Sequence, residues 1–178
     1  QIADQLAGRA SLASLEIESE QHVEWVRTVD LLQKTLNARL PILRRALQEP
    51  GCEAIHEVIL EYDFRRRGLR MDCVLLAEGA LFVVEFKRSR LGRADRDQVM
   101  NYAVNLFEFH QVTRKWCHDD GAILVPVLAL TEGHTKVPVG WPGLAGHSWP
   151  SITRKPLECD DNTLSDALRS GLENRRAH

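Results

Sequence analysis

The sequence predicts an α/β layered domain, on three observations. Apolar residues recur at helical spacing over much of the first fifty positions. From Glu57 the pattern becomes short, β-branched and strand-like as far as Phe86. A further helix and a fully apolar strand then follow. Helices alternating with strands bury their apolar sides by packing on a shared sheet. A length of 178 residues suits one domain with a substantial core. The reading is of one domain over 1–178, its core at about 19–131, with an irregular loop and a C-terminal helix in 132–178.

Each element has its own signal. Residues 3–15 read as a short helix. A stronger one runs from Ser19, a plausible N-cap, to Asn37, with Val23, Val26, Val29, Leu32 and Leu36 at helical spacing. Pro41 is expected to open another helix, ended by Pro50–Gly51. VILEYDF (58–64) reads as a strand, and the arginine-rich turn RRRGLR (65–70) follows it. MDCVLLA (71–77) and ALFVVEF (80–86) form a hairpin about Glu78–Gly79. Both faces of that hairpin are apolar, so it should lie inside a sheet covered on two sides. A helix is expected from Asp95 or Asp97 to about Val112, with Val99, Ala103, Leu106 and His110 on one face. AILVPVLAL (122–130) is a strand in which Pro126 implies an edge or a bulge. Residues 131–160 read as irregular, and 163–173 as an amphipathic helix.

Composition excludes several classes. Hydrophobic residues at 44% and charged residues at 27% are those of a soluble globular chain. No apolar run approaches the ~20 residues that span a bilayer. QIADQLAGRA lacks the basic-then-apolar pattern of a secretory signal. The chain opens on Gln rather than Met, as a fragment or a trimmed chain would. Cys52, Cys73, Cys117 and Cys159 form no CxxC pair, which argues against a zinc ribbon or an iron–sulfur cluster. They read as reduced thiols of a cytoplasmic protein. A net charge of −2 excludes a domain that coats DNA by bulk charge, yet the charge is uneven. Glu16, Glu18, Glu20 and Glu24 precede a basic zone of Arg65, Arg66, Arg67, Arg70, Lys87, Arg88, Arg90, Arg93 and Arg96.

The hairpin carries the chemistry. A two-residue turn pairs Ala77 with Ala80, and counting back sets Asp72 opposite Glu85. Directly opposed residues have Cβ atoms roughly 5 Å apart. Two carboxylates that close repel, and each loses hydration at a cost of several kcal/mol. A hard divalent cation, Mg²⁺ or Mn²⁺, resolves both problems. Lys87, two residues beyond Glu85, falls on the same strand face. There it can hold a water or steady charge developing on a phosphorane-like transition state. The Phe86 carbonyl is a further candidate ligand. Gln98 and Tyr102, at i and i+4 on the next helix, share one face. They can contact a substrate phosphate or brace the lysine. The bland alternatives are a plain Glu–Lys ion pair at a strand end and a half-buried tyrosine beside a surface glutamine.

The series RMD (70–72), VVEFK (83–87) and QVMNY (98–102) resembles the PD-(D/E)xK nuclease superfamily, in particular the RecB-like branch with a Q-xxx-Y helix. The resemblance covers roughly residues 20–130. The longer strings EYDFRRRGLRMDCVLLAEGALFVVEFKRSR and DQVMNYAVNLFEFH are similar to a bacterial family in which such a domain precedes a helicase-like ATPase. No GxxxxGK[ST] loop occurs in this chain.

The resemblance implies a restriction-endonuclease-like core, a central mixed β-sheet flanked by helices, and metal-dependent hydrolysis of phosphodiester bonds in DNA. Asp72 and Glu85 would bind Mg²⁺ or Mn²⁺, Lys87 would assist the water nucleophile, and Gln98 and Tyr102 would support the site. A further glutamate often comes from the first helix of such domains. Glu20 is the first candidate, Glu24 and Glu61 the alternatives. Met71 stands where the family often has Pro. Arg66, Arg67, Arg70, Arg88, Arg90 and Arg93 are candidate phosphate contacts, or a solvated loop. The competing functions are a non-catalytic nucleic-acid-binding module of a larger ATPase and a protein-interaction domain. Trp141 and Trp149 either stack on bases or anchor their loop. His56, His110 and His118 read as surface or packing residues.

Overall fold

Strand alternation starts at Ile55, and the chain makes three antiparallel strands in succession: β1 (Ile55–Phe64), β2 (Leu69–Ala77) and β3 (Ala80–Lys87). In the computed structural model, residue 34 and residues 36–175 are described. The chain divides into two compact units, Gln1–Pro41 and Ile42–His178. In the first, residues 36–40 are already helical ahead of Pro41, so the proline does not open a helix. The helices expected at 3–15 and over most of 19–37 lie outside the described residues.

The second unit is an α/β fold with a mixed sheet flanked by helices. The strand order is β1-β2-β3-β4-β5. β4 (Ile123–Leu130) runs parallel to β3, and β5 (Leu157–Asp160) parallel to β4. One face of the sheet offers Cys73, Leu75, Phe82, Val84, Val125 and Val127. Residues 42–48 (α1) and Leu164–Asn174 (α4) cover it, burying Ile42, Leu43, Leu164 and Leu168. The other face, with Val74, Leu81, Val83, Leu124 and Leu128, packs against Arg93–Phe109 (α2) and Gln111–Asp119 (α3) through Val99, Tyr102, Ala103, Leu106 and Cys117. Among the described residues no helix is long and apolar enough to cross a membrane.

Four expectations are corrected. First, Pro126 sits in neither an edge strand nor a bulge: β4 pairs with β3 from Ala80↔Ile123 to Lys87↔Leu130 without a break, and with β5 on its other side. The backbone of Leu124 faces away from β3, donating to Ser151 and accepting from Thr153. Pro126 faces the same way, and the β5 ladder begins only at Val127. Its missing N–H therefore costs no ladder bond.

Second, α2 starts at Arg93, where Asp95 accepts the Gly92 N–H (2.8 Å), and it ends at Phe109, short of Val112. His110 leaves the helix with extended backbone, and its Nδ1 accepts the Thr113 N–H (3.4 Å). It thereby caps α3, the third difference, a helix not foreseen in the sequence. Last, the stretch read as irregular up to Asp160 ends in β5. That strand is only four residues long and half polar, so its signal is slight.

Candidate active site

The two-residue turn at Glu78–Gly79 relies on Gly79, whose φ of 72° is left-handed. It closes the β2–β3 ladder on Ala77↔Ala80, and the ladder runs to Cys73↔Val84. The same count brings Asp72 opposite Glu85. There the pairing changes character: the Phe86 N–H donates to Asp72 Oδ2 (2.9 Å). On the far side, Leu60↔Cys73 and Tyr62↔Met71 bracket Glu61 at the position facing Asp72. Toward the other edge, Glu85 is in register with Leu128, and Leu128 with Glu158. One row across the sheet thus carries Glu61, Asp72, Glu85 and Glu158. Two of these carboxylates have arginine partners, Arg70–Glu61 (3.1 Å) and Arg96–Glu158 (2.5 Å).

Lys87 answers Glu85, which is buried. Its Nζ donates to Glu85 Oε1 (3.0 Å) and to Gln98 Oε1 (2.9 Å), and lies 3.3 Å from Asp95 Oδ1. Three ammonium protons thus face three oxygens. Burial alone would lower the Lys87 pKa, but Glu85 and Asp95 hold it above the ordinary lysine value. The group is therefore a fixed cation and donor rather than a base. Asp95 is anchored on its other side by the Gly92 N–H, which, with Lys87, keeps its carboxyl below the usual range. Gln98 passes the contact on, donating through Nε2 to the Tyr102 hydroxyl (2.6 Å). Burial pushes the Tyr102 hydroxyl up, as do the Glu85 and Asp72 carboxylates, so it keeps its proton at neutral pH.

Asp72, Glu85, Lys87, Gln98 and Tyr102 are therefore brought together. Glu20 and Glu24 lie outside the described residues. No family model, curated protein or solved structure matches the chain.

Asp72 and Glu85 present hard carboxylate oxygens from facing positions, the donor chemistry a hard divalent cation prefers, and the Lys87 ammonium meets Glu85 Oε1. Among the described residues neither belongs to a set of three His, Cys or carboxylate ligand atoms within 4.8 Å of one another.

The basic residues divide. Arg70 pairs with Glu61, Arg88 with Glu132 (2.9 Å) and Arg93 with Asp97 (3.7 Å). Arg66 and Arg90 are exposed. Arg67 donates to Asn105 and lies over the Phe109 ring. Trp141 packs against the core, and Trp149 donates to Glu108, so both serve as loop anchors.

Sequence reasoning missed two groups. Asp95 was visible only as a helix start, because its contact with Lys87 depends on how the loop 88–92 turns. The other is His134, Asp160 and Asp161, which bring one ligand atom each to within 4.8 Å of one another and could in principle hold a divalent metal ion. A Thr three residues after Asp160 and just ahead of an apolar run was its signal, and that signal reads as a helix cap. Buried Asp160 instead anchors the turn ahead of α4, whose N-cap is Thr163. Its Oδ1 accepts from Asn162 N, Thr163 N and Thr163 Oγ1, and its Oδ2 from Thr135 N.

Burial would raise the Asp160 pKa, but these donors outweigh it and hold the carboxyl low. A depressed folded-state pKa stabilises above the ordinary Asp value of about 4, and that contribution is lost as pH falls through the lower folded value. Asp160→Ala should therefore cost about 1–3 kcal/mol at pH 7, measured by urea denaturation in EDTA. The gap to the parent should narrow below pH 4. A variant as stable as the parent at pH 7 would contradict the anchoring role.

Proposed function

We propose that this chain is a metal-dependent nuclease domain of the PD-(D/E)xK type, in its RecB-like branch, hydrolysing phosphodiester bonds of DNA. The observation that supports it best is the meeting of Asp72 and Glu85 in one register row, with Lys87 held on the same face by Asp95 and Gln98.

Asp72 and Glu85 would hold Mg²⁺ or Mn²⁺, and such an ion would make a bound water more acidic and polarise a phosphate oxygen, leaving the phosphorus open to attack. The chain's own residues do the rest. Lys87, kept charged, would set its positive charge beside the non-bridging oxygen where negative charge grows. Asp95 and Gln98 fix its ammonium, so little reorganisation accompanies the reaction. Tyr102 orients Gln98 and closes the inner wall. The exposed Arg66 and Arg90 neutralise backbone phosphates at the sheet end. In this reading the chain works beside a helicase-like ATPase, in a reducing cytoplasm where its four buried cysteines stay as free thiols.

Incubation with single- and double-stranded DNA and RNA tests this. Cleavage is expected with Mg²⁺ or Mn²⁺ and should stop in EDTA. Undiminished cleavage in EDTA would rule out the mechanism. Salt-sensitive binding without cleavage would instead assign the chain as a binding module.

A further inference from the structure

Arg67 differs from its basic neighbours in what holds it. Arg65, Arg70, Arg88, Arg93 and Arg96 each meet a carboxylate. Arg67, in the turn between β1 and β2, is held by neutral groups. Its Nε donates to Asn105 Oδ1 (2.8 Å), and its guanidinium stacks 4.2 Å from the centroid of the Phe109 ring.

Asn105 is itself locked. It is buried, and its amide nitrogen donates to both the backbone and the side-chain oxygen of Asn101 (2.8 and 2.9 Å). Its carbonyl is thus aimed at Arg67. The relay Asn101–Asn105–Arg67 fixes the guanidinium through Nε and leaves its charge without a carboxylate among the described residues. The ordering cost of a long side chain has already been met within the fold, which favours tight capture of a ligand. The two terminal nitrogens form the fork that matches phosphate.

Phe109 supplies the second half. Its ring is 51% exposed at the end of α2, beside the exposed Arg66. Such a ring next to a phosphate-matching guanidinium is a platform for a nucleobase. Position matters too. Gln98, Tyr102, Asn105 and Phe109 follow one side of α2, so the platform stands ~16 Å along the helix from the Lys87 cluster. An extended strand of a few nucleotides covers that distance.

We propose that Arg67 and Phe109, braced by Asn105, form a binding site for one phosphate and one unpaired base of a single-stranded nucleic acid. The site lies beyond the reacting centre, and the nature of its ligand rests on the nuclease reading.

The test is fluorescence anisotropy of a labelled oligothymidylate against the full chain in EDTA, where cleavage does not intervene. Arg67→Ala and Phe109→Ala should each raise Kd about fivefold or more. Arg67→Lys should not restore affinity, because lysine lacks the fork. Arg169→Ala, on α4 at the other face of the sheet and paired with Asp166, should change Kd less than twofold. Thermal melts check that each variant folds, and Phe109→Ala removes only an exposed ring. Unchanged affinity in both Arg67→Ala and Phe109→Ala overturns the inference. An equal loss in Arg169→Ala overturns it as well, since that is bulk charge, and so does a duplex bound as tightly as the single strand. Metal-dependent cleavage with no effect of Arg67→Ala would sink this site alone. Binding through Arg67 without any cleavage would sink the nuclease reading alone.

Discussion

Lys87→Ala should lower metal-dependent cleavage by about 100-fold or more, the usual effect of losing one group that stabilises developing charge. The same substitution separates two roles of the ammonium. Without it, the buried Glu85 and its neighbour Asp95 lose their shared cation. Stability in EDTA should fall by on the order of 2 kcal/mol, the scale of a hydrogen bond to a charged group. Added Mn²⁺ should recover much of that stability, because a divalent ion can take over the carboxylates. It should not recover cleavage. Mn²⁺ should also bind Lys87→Ala more tightly than the parent, since the ammonium no longer competes for Glu85 Oε1. Calorimetric titration and urea melts read the two effects independently of turnover. Wild-type hydrolysis by Lys87→Ala would end the catalytic assignment, and weaker Mn²⁺ binding would show that the lysine supports the metal site instead of competing with it.

The second large effect concerns folding. Gly171 lies inside α4, where glycine costs about 1 kcal/mol relative to alanine. An ordinary helix would gain from Gly171→Ala. Here a Cβ would overlap the ring of fully buried Phe82, whose Cζ lies 2.8 Å from the position a Cβ would take. The ring is wedged between helix and sheet and cannot swing away. Gly171→Ala should therefore destabilise by about 1–3 kcal/mol, and Gly171→Val by more. Combining Gly171→Ala with Phe82→Leu should return part of the loss, which marks the contact as the cause. A more stable Gly171→Ala would show that α4 can shift outward.

The sequence made the hairpin legible because register follows from turn length. Once Glu78 and Gly79 form a two-residue turn, Asp72 and Glu85 must meet. The Gln98–Tyr102 pair was legible because helical spacing fixes a common face. What escaped notice depends on geometry that spacing does not encode. α3 carries few apolar residues, and β5 is a short segment between turns, with Glu158 and Asp160 pointing to one face and Leu157 and Cys159 to the other. Pro126 misled because its missing donor matters only on the side where a partner exists. Asp95 and Asn105 act through a loop and a turn whose folds no local pattern announces.

Asp72, Glu85, Lys87, Asp95, Gln98 and Tyr102 come from one unbroken stretch of chain, and the antiparallel strands ahead of it are also sequence neighbours. β4 and β5, in contrast, join the sheet through long crossovers and pay a larger loop-closure entropy. During synthesis the β2–β3 hairpin and α2 emerge before the strands that later cover the β3 edge. A chain stalled at that stage exposes the β3 ladder, a ready template for pairing with another copy. Protection against aggregation therefore depends on how fast β4 docks, and substitutions in residues 123–130 should reduce recovery from refolding more than they alter the chemistry.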